Sequence, residues 1–191
     1  MSDTRTVLIS GGRRGIGAVT AQLLLAQGWR VSLGLRGGLR PEWAADIPED
    51  RLHCTDHKAT DPEGEAAWVA SALAAFGRVD AVIASAGIST GKGLLAVSDD
   101  EIRQMMEINI LAPRRLALAA WQALSASGRG RIVLIGSLSG TRVKSAASGS
   151  YALSKFAAVA LNHSLRQRAL PSAFTRPSSA PVLWRRIWPK A

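Results

Sequence analysis

Gly11, Gly15 and Gly17 fall within one short stretch, Gly11-Gly12-Arg13-Arg14-Gly15-Ile16-Gly17, that follows an apolar run and precedes a helix-period segment. A strand feeding straight into a helix leaves unpaired amide donors and the positive end of the helix dipole at the turn, and glycines let an anion approach them. That chemistry suits a pyrophosphate. The spacing Gly-x-x-x-Gly-x-Gly departs from the commoner Gly-x-Gly-x-x-Gly, and the turn alone is equally compatible with a tight structural connection. A second constellation comprises Ser137, Tyr151 and Lys155. Tyr151 and Lys155 are four residues apart on an expected helix and so share one face, while Ser137 ends the preceding strand. A hydroxyl, a phenol and an amine therefore converge at the carboxyl end of that strand. A Tyr-x-x-x-Lys pair also describes an ordinary surface pair, and its position after the strand carries the weight.

The elements that must hold these groups follow from periodicity. Residues 6–10 read as a strand, 18–27 as a helix stopped by Gly28, 29–35 as a second strand and 51–54 as a third. Residues 62–76 form an amphipathic helix opening with Pro62, and 81–84 a fourth strand. A long helical stretch spans 99–127, interrupted by Pro113 though not necessarily broken there; 131–136 is a fifth strand and 150–168 a long helix. Strands alternating with helices imply a parallel sheet covered on both faces, because right-handed crossovers place helices on both sides. The expected class is α/β, a doubly wound dinucleotide-binding fold.

Composition narrows the rest. The chain has 191 residues, 47% hydrophobic and 20% charged, enough for one sizeable core. No apolar run approaches the ~20 residues that span a bilayer, and the N-terminus shows no secretory pattern, so a cytoplasmic protein without membrane association is expected. The single Cys54 cannot form an internal disulfide, and His53, His57 and His163 lack ligand spacing; no metal is expected. The net charge is +10, yet every acidic residue lies at or before Glu107. Six of the positive residues lie from Arg166 onward, in a stretch that also holds Pro171, Pro177, Pro181, Pro189, Trp184 and Trp188. The expected organisation is one domain over residues 1–169 and an atypical basic tail over 170–191.

Residues 5–168 resemble the short-chain dehydrogenases/reductases of the classical type. Ser10-Gly11-Gly12-Arg13-Arg14-Gly15-Ile16-Gly17 is similar to the family's Thr-Gly-x-x-x-Gly-Ile-Gly cofactor loop, with serine in place of threonine. Ala84-Ser85-Ala86-Gly87 stands where the family has Asn-Asn-Ala-Gly, and Glu107-Ile108-Asn109 matches the segment bearing its helix asparagine. Ser137-x-x-Gly140 and Tyr151-Ala152-Leu153-Ser154-Lys155 match the active-site segments. Ser85 departs from the asparagine pattern, which puts in doubt the turn under the adenosine but not the chemistry.

The resemblance implies roles. Tyr151 would be the general acid or base for a carbonyl/alcohol pair; Lys155 would favour the ionised phenol and hold the nicotinamide ribose. Ser137 would polarise the substrate oxygen and Asn109 would place a water in a proton path from Lys155. Gly11, Arg14, Gly15, Ile16, Gly17, Arg36, Asp56, Ala86 and Gly87, with Tyr151 and Lys155, would bind the cofactor. An acid after the second strand would repel a 2′-phosphate, but Leu35-Arg36 has none. Arg14 is the family's second basic position, so NADP(H) is expected over NAD(H); both arginines could also simply be solvated. Asp56 would contact the adenine amino group, or be a plain turn aspartate. The stretches 99–127 and 150–168 match the pair that family members use for a two-fold interface, implying a homodimer or homotetramer.

Members of the family continue after the active-site helix into a sixth strand ending in Pro-Gly, a substrate loop and a seventh strand; nothing after Ala169 has that pattern. Read one base out of frame, codons for residues 179–190 can encode Cys-Pro-Gly-Phe-Val-Ala-Thr-Asp-Met-Ala-Lys, which supplies a Pro-Gly segment. The expectation is a C-terminally truncated sheet whose tail is either a natural alternative terminus or, the favoured account, a frameshift product, with poor solubility or weak turnover. Three function classes follow: an NADP(H)-dependent oxidoreductase on small carbonyl/alcohol substrates, an impaired nucleotide-binding remnant, and nucleic-acid binding. The last rests only on the basic tail and its two tryptophans.

Overall fold

A computed structural model describes residues 4–169; the tail at 170–191, with its shifted-frame reading, lies outside the described residues. Five strands, β1 (Thr6–Ser10), β2 (Arg30–Leu35), β3 (Leu52–Asp56), β4 (Ala81–Ala84) and β5 (Arg131–Leu134), alternate with helices α1 (Gly15–Ala26), α2 (Gly64–Phe76), α3 (Asp99–Met106), α4 (Ala112–Ala126) and α5 (Gly149–Ala169). All pairings are parallel, in the order β3-β2-β1-β4-β5. This is a doubly wound, Rossmann-like sheet. The strand order reverses between β1 and β4, and ligands of such sheets bind beyond the carboxyl ends at that crevice.

The alternation of side chains along the central strands explains the two cores. Leu8 and Val82 point to one face, where they meet Trp68, Val69 and Ala72 of α2, Leu116, Ala120 and Leu124 of α4, and Leu165 of α5. Val7, Ile9, Ala81 and Ile83 point to the other, against Ala21 and Leu25 of α1 and Val31, Leu33 and Leu35 of β2. Every residue of β1 is buried, so the strand reads as a continuous apolar run rather than an alternating one. At the amino edge of the sheet the buried Asp80 accepts the Thr6 amide at 2.9 Å and a two-pronged bond from Arg78, tying β1 to β4.

Boundaries differ from periodicity in instructive ways. The first helix begins at Gly15, three residues earlier than its apolar pattern, because first-turn residues need no apolar face. It ends at Ala26, one residue before the expected end, with Gln27 as its C-cap and Gly28, φ +84°, at the stop as expected. The second helix begins at Gly64, so Pro62 precedes it, and the third strand runs on to Asp56, paired with Leu35. The stretch 99–127 is not one α-helix: Glu107–Leu111 forms a π-helical turn between α3 and α4. Pro113 lies in the first turn of α4, where a missing N–H is tolerated. The start of α3 is set by a capping box, with Ser98 Oγ accepting from the Glu101 amide and the Glu101 carboxylate accepting from the Ser98 amide. Among the described residues, no helix is long and apolar enough to cross a membrane.

Candidate active site

Beyond the carboxyl ends of β1, β2 and β4 lies a groove of about 630 Å³, lined by Gly11, Arg13, Arg14, Gly15 and Ile16, by Gly34 to Arg36, by His57 to Thr60, and by Ser85 to Ile88. The glycine turn forms one wall. A Cβ at Gly11, φ +71°, would stand 2.8 Å from the Ala86 amide nitrogen, and one at Gly17 would stand 2.5 Å from the Gly11 carbonyl oxygen, so any side chain would force β1, α1 and β4 apart. At Gly15, by contrast, a Cβ would meet nothing within 4 Å, and the turn opens onto the groove. No side chain caps the amino end of α1 at Arg14. Its first amides and dipole are thus available to an anion.

Ser10 joins β1 to the loop after β4. Its hydroxyl accepts the amides of Ser85 and Ala86, both at 3.2 Å. Two further bonds brace the turn from outside: Arg13 donates to the Leu39 carbonyl at 3.1 Å, and the Trp43 indole donates to the Gly12 carbonyl at 3.2 Å.

At the other end of the groove the π-turn buries Asn109. Its Oδ1 accepts the Ile88 amide at 2.9 Å, and its Nδ2 donates to the Ile88 carbonyl at 3.0 Å and to Ser154 Oγ at 2.9 Å. Gly87 measures how close Asn109 and Lys155 lie, since a Cβ there would stand 3.3 Å from Asn109 Oδ1 and 4.0 Å from Lys155 Nζ. The Lys155 ammonium donates to the Ile135 carbonyl at 2.9 Å and stands 5.6 Å from the centre of the Tyr151 ring. Burial pulls its pKa below the ordinary lysine value. Ser137 precedes a single 3₁₀ turn, Leu138–Gly140, and its Oγ accepts the Ser139 amide at 3.1 Å. A buried amine, a phenol on the same helical face and a buried carboxamide thus gather beside a groove whose far end is the glycine turn with the uncapped amides of α1.

A family model of short chain dehydrogenases matches residues 5–175. The chain is a short-chain dehydrogenase. The agropine synthesis reductase of Rhizobium rhizogenes is 38% identical over 138 residues, 72% of this chain but 32% of its own length. The chain thus spans about a third of that relative. The 3-oxoacyl-[acyl-carrier-protein] reductase FabG of Salmonella typhimurium is 30% identical over 183 residues, covering 94% of this dehydrogenase and 73% of itself. Among solved structures, a short-chain dehydrogenase from Streptomyces avermitilis superposes with a TM-score of 0.82 at 26% identity, over 96% of this chain and 65% of the other. An alcohol dehydrogenase from the archaeon Thermococcus sibiricus, complexed with 5-hydroxy-NADP, gives 0.80 at 27%, over 91% and 74%.

Within this short-chain dehydrogenase, seven of the residues expected at the cofactor, Gly11, Arg14, Gly15, Ile16, Arg36, Ala86 and Gly87, line the groove. Gly17 lies behind it in α1. Asp56 closes β3, where its Oδ1 accepts the Gly37 amide at 2.7 Å, and does not line the groove. Asn109, Ser137, Tyr151 and Lys155 lie outside the lining as well.

Sequence reading missed Lys58, which adds a fourth cation to the wall that holds Arg13, Arg14 and Arg36. It also missed a buried ionic cluster behind that wall: Arg115 of α4 binds Glu65 and Glu107, each at 2.7 Å, and Glu65 also meets His57 at 3.2 Å. Burial opposes the Arg115 charge, but the bonds from Glu65 and Glu107 outweigh it and push the guanidinium pKa up. Neither Glu65 nor Glu107 carried a sequence signal for this, because they lie 50 and 8 residues from Arg115 along the chain.

Proposed function

We propose that this enzyme is an NADP(H)-dependent oxidoreductase that interconverts a small carbonyl compound and its secondary alcohol. The observation that carries the reading is the placement of the Lys155 ammonium, 5.6 Å from the Tyr151 ring and beside Asn109, next to a groove walled by an uncapped helix terminus and four cations. The groove fits a nicotinamide dinucleotide: the open space at Gly15 and the free amides of α1 suit its pyrophosphate, and Arg14, Arg36 and Lys58 suit a 2′-phosphate. That group, when bound, supplies or accepts the hydride. FabG relatives carry the name of a reductase and the Thermococcus sibiricus neighbour holds an NADP analogue, both in line with this choice.

Tyr151 gives a proton to the carbonyl oxygen in reduction and takes one back in oxidation. Lys155, fixed at the Ile135 carbonyl, holds its positive charge 5.6 Å from the centre of the Tyr151 ring. Ser137 holds the substrate oxygen with its hydroxyl, and Asn109 anchors the loop at Ile88 that borders the groove. Leu111 and Leu118 on one side and Leu153 and Phe156 on the other leave apolar side chains 42–47% exposed. These faces support assembly of a homodimer or homotetramer through α4 and α5.

The test is NADPH oxidation with a panel of ketones, the wild type against Tyr151→Phe. The wild type should turn over and the variant should lose at least about a hundredfold in rate, far more than it loses in NADPH affinity. One observation favours a second reading, a nucleotide-binding chain impaired in hydride transfer: Ser137 and Tyr151 lie outside the lining of the groove. NADPH binding without turnover of any ketone would select it.

A further inference from the structure

Arg115 uses all three of its guanidinium nitrogens on three separate parts of the chain. Nε donates to Glu65 Oε2, Nη1 to Glu107 Oε1 and Nη2 to the Ala59 carbonyl, each at 2.7 Å. Ala59 belongs to the 57–60 segment that forms one wall of the groove. Glu107 opens the π-turn that carries Asn109. Glu65 is 1% exposed, and its second oxygen lies 3.2 Å from His57 Nε2; His57 in turn packs on Trp68, ring centres 4.9 Å apart. A planar fork holds two carboxylates and a carbonyl in fixed directions, whereas the three donors of an ammonium on a flexible stem fix no such geometry. A π-turn is also a costly local structure, retained where it aims a side chain, and here the aimed side chain is Asn109.

Resting on the cofactor assignment above, we infer that Arg115 is a positioning residue that couples the 57–60 wall of the cofactor groove to the turn carrying Asn109. Occupancy at one end of the groove and the setting of Asn109, Ile88 and Ser154 at the other are thereby linked. His57 and Glu65 hold the wall side of this link, and Glu107 holds the turn side. A purely stabilising ion cluster would tie the same elements together but would not transmit the binding event.

The experiment combines NADPH titration by fluorescence with hydrogen exchange of the full chain, with and without NADPH. The wild type should bind NADPH and gain protection both at 57–60 and at 106–112. In Arg115→Met paired with Glu65→Gln, which removes the carboxylate that would otherwise be orphaned, NADPH should bind about tenfold more weakly and protection at 106–112 should vanish. Glu107→Gln, at a half-exposed position, tests the link even if the double variant does not fold. It should bind NADPH within about twofold of wild type and protect 57–60, yet leave 106–112 unprotected.

Variants that bind NADPH as the wild type does and still protect 106–112 overturn the inference and leave the function intact. So does a wild type that binds NADPH without protecting 106–112. A wild type that binds no NADPH overturns the cofactor assignment, and the inference with it.

Discussion

The Lys155 ammonium lies 2.9 Å from the Ile135 carbonyl oxygen, so the last residue to bond onto β4 also fixes the amine of α5. Ile135 donates its own amide to the Ala84 carbonyl, which means that the end of β4, the end of β5 and α5 are held by one residue's backbone. Burial at this point lowers the Lys155 pKa below the ordinary 10.5. Between the lowered value and 10.5 the folded chain binds fewer protons than the unfolded chain, so this group makes stability rise with pH across that window. Lys155→Met removes the effect. In urea unfolding, the stability of wild type relative to Lys155→Met should increase as pH is raised toward 10.5; a constant difference from pH 8 upward would show that the lysine is not desolvated in solution.

Cofactor preference should follow the charge after β2. Arg36→Asp places a carboxylate on the groove wall, where it repels a 2′-phosphate and can accept from a ribose hydroxyl. The ratio of NADPH to NADH affinity should fall by about ten- to a hundredfold. Equal ratios before and after the change would assign the phosphate to Arg14 and Lys58 alone.

Asp80 should be a dominant stability residue far from the chemistry. It is 1% exposed and accepts from the Thr6 amide and from Arg78 at the amino edge of the sheet. Asp80→Ala leaves those donors without their acceptor and should destabilise the fold by about 3–5 kcal/mol. Thermal unfolding reads the loss, and a shift in Tm of only a degree or two would count against the role.

Assembly should depend on the exposed apolar faces of α4 and α5. Leu118→Glu with Phe156→Glu puts charge at two positions that are now 46% and 44% exposed, so the isolated fold has little reason to suffer. Sedimentation should show an oligomer for the wild type and a monomer for the double variant, with unchanged Tm at low protein concentration. An unchanged oligomer would move the interface elsewhere.

Much of this protein was legible in the residues because its strongest signals are local. The glycine turn, the five strands, the stop at Gly28 and the four-residue spacing of Tyr151 and Lys155 depend on nearest neighbours and on the period of a single helix or strand. They carried the order of elements and the ends of the sheet where chemistry would sit. The same rules could not foresee the π-turn at Glu107–Leu111, which exists because Asn109 is drawn inward to Ile88 and Ser154, 21 and 45 residues away. Nor could they show that Asp56 is engaged by the Gly37 amide, or that Arg115 gathers Glu65, Glu107 and Ala59 behind the groove. Buried charge demands a partner wherever the fold happens to bring one, and that partner is chosen in three dimensions rather than along the chain.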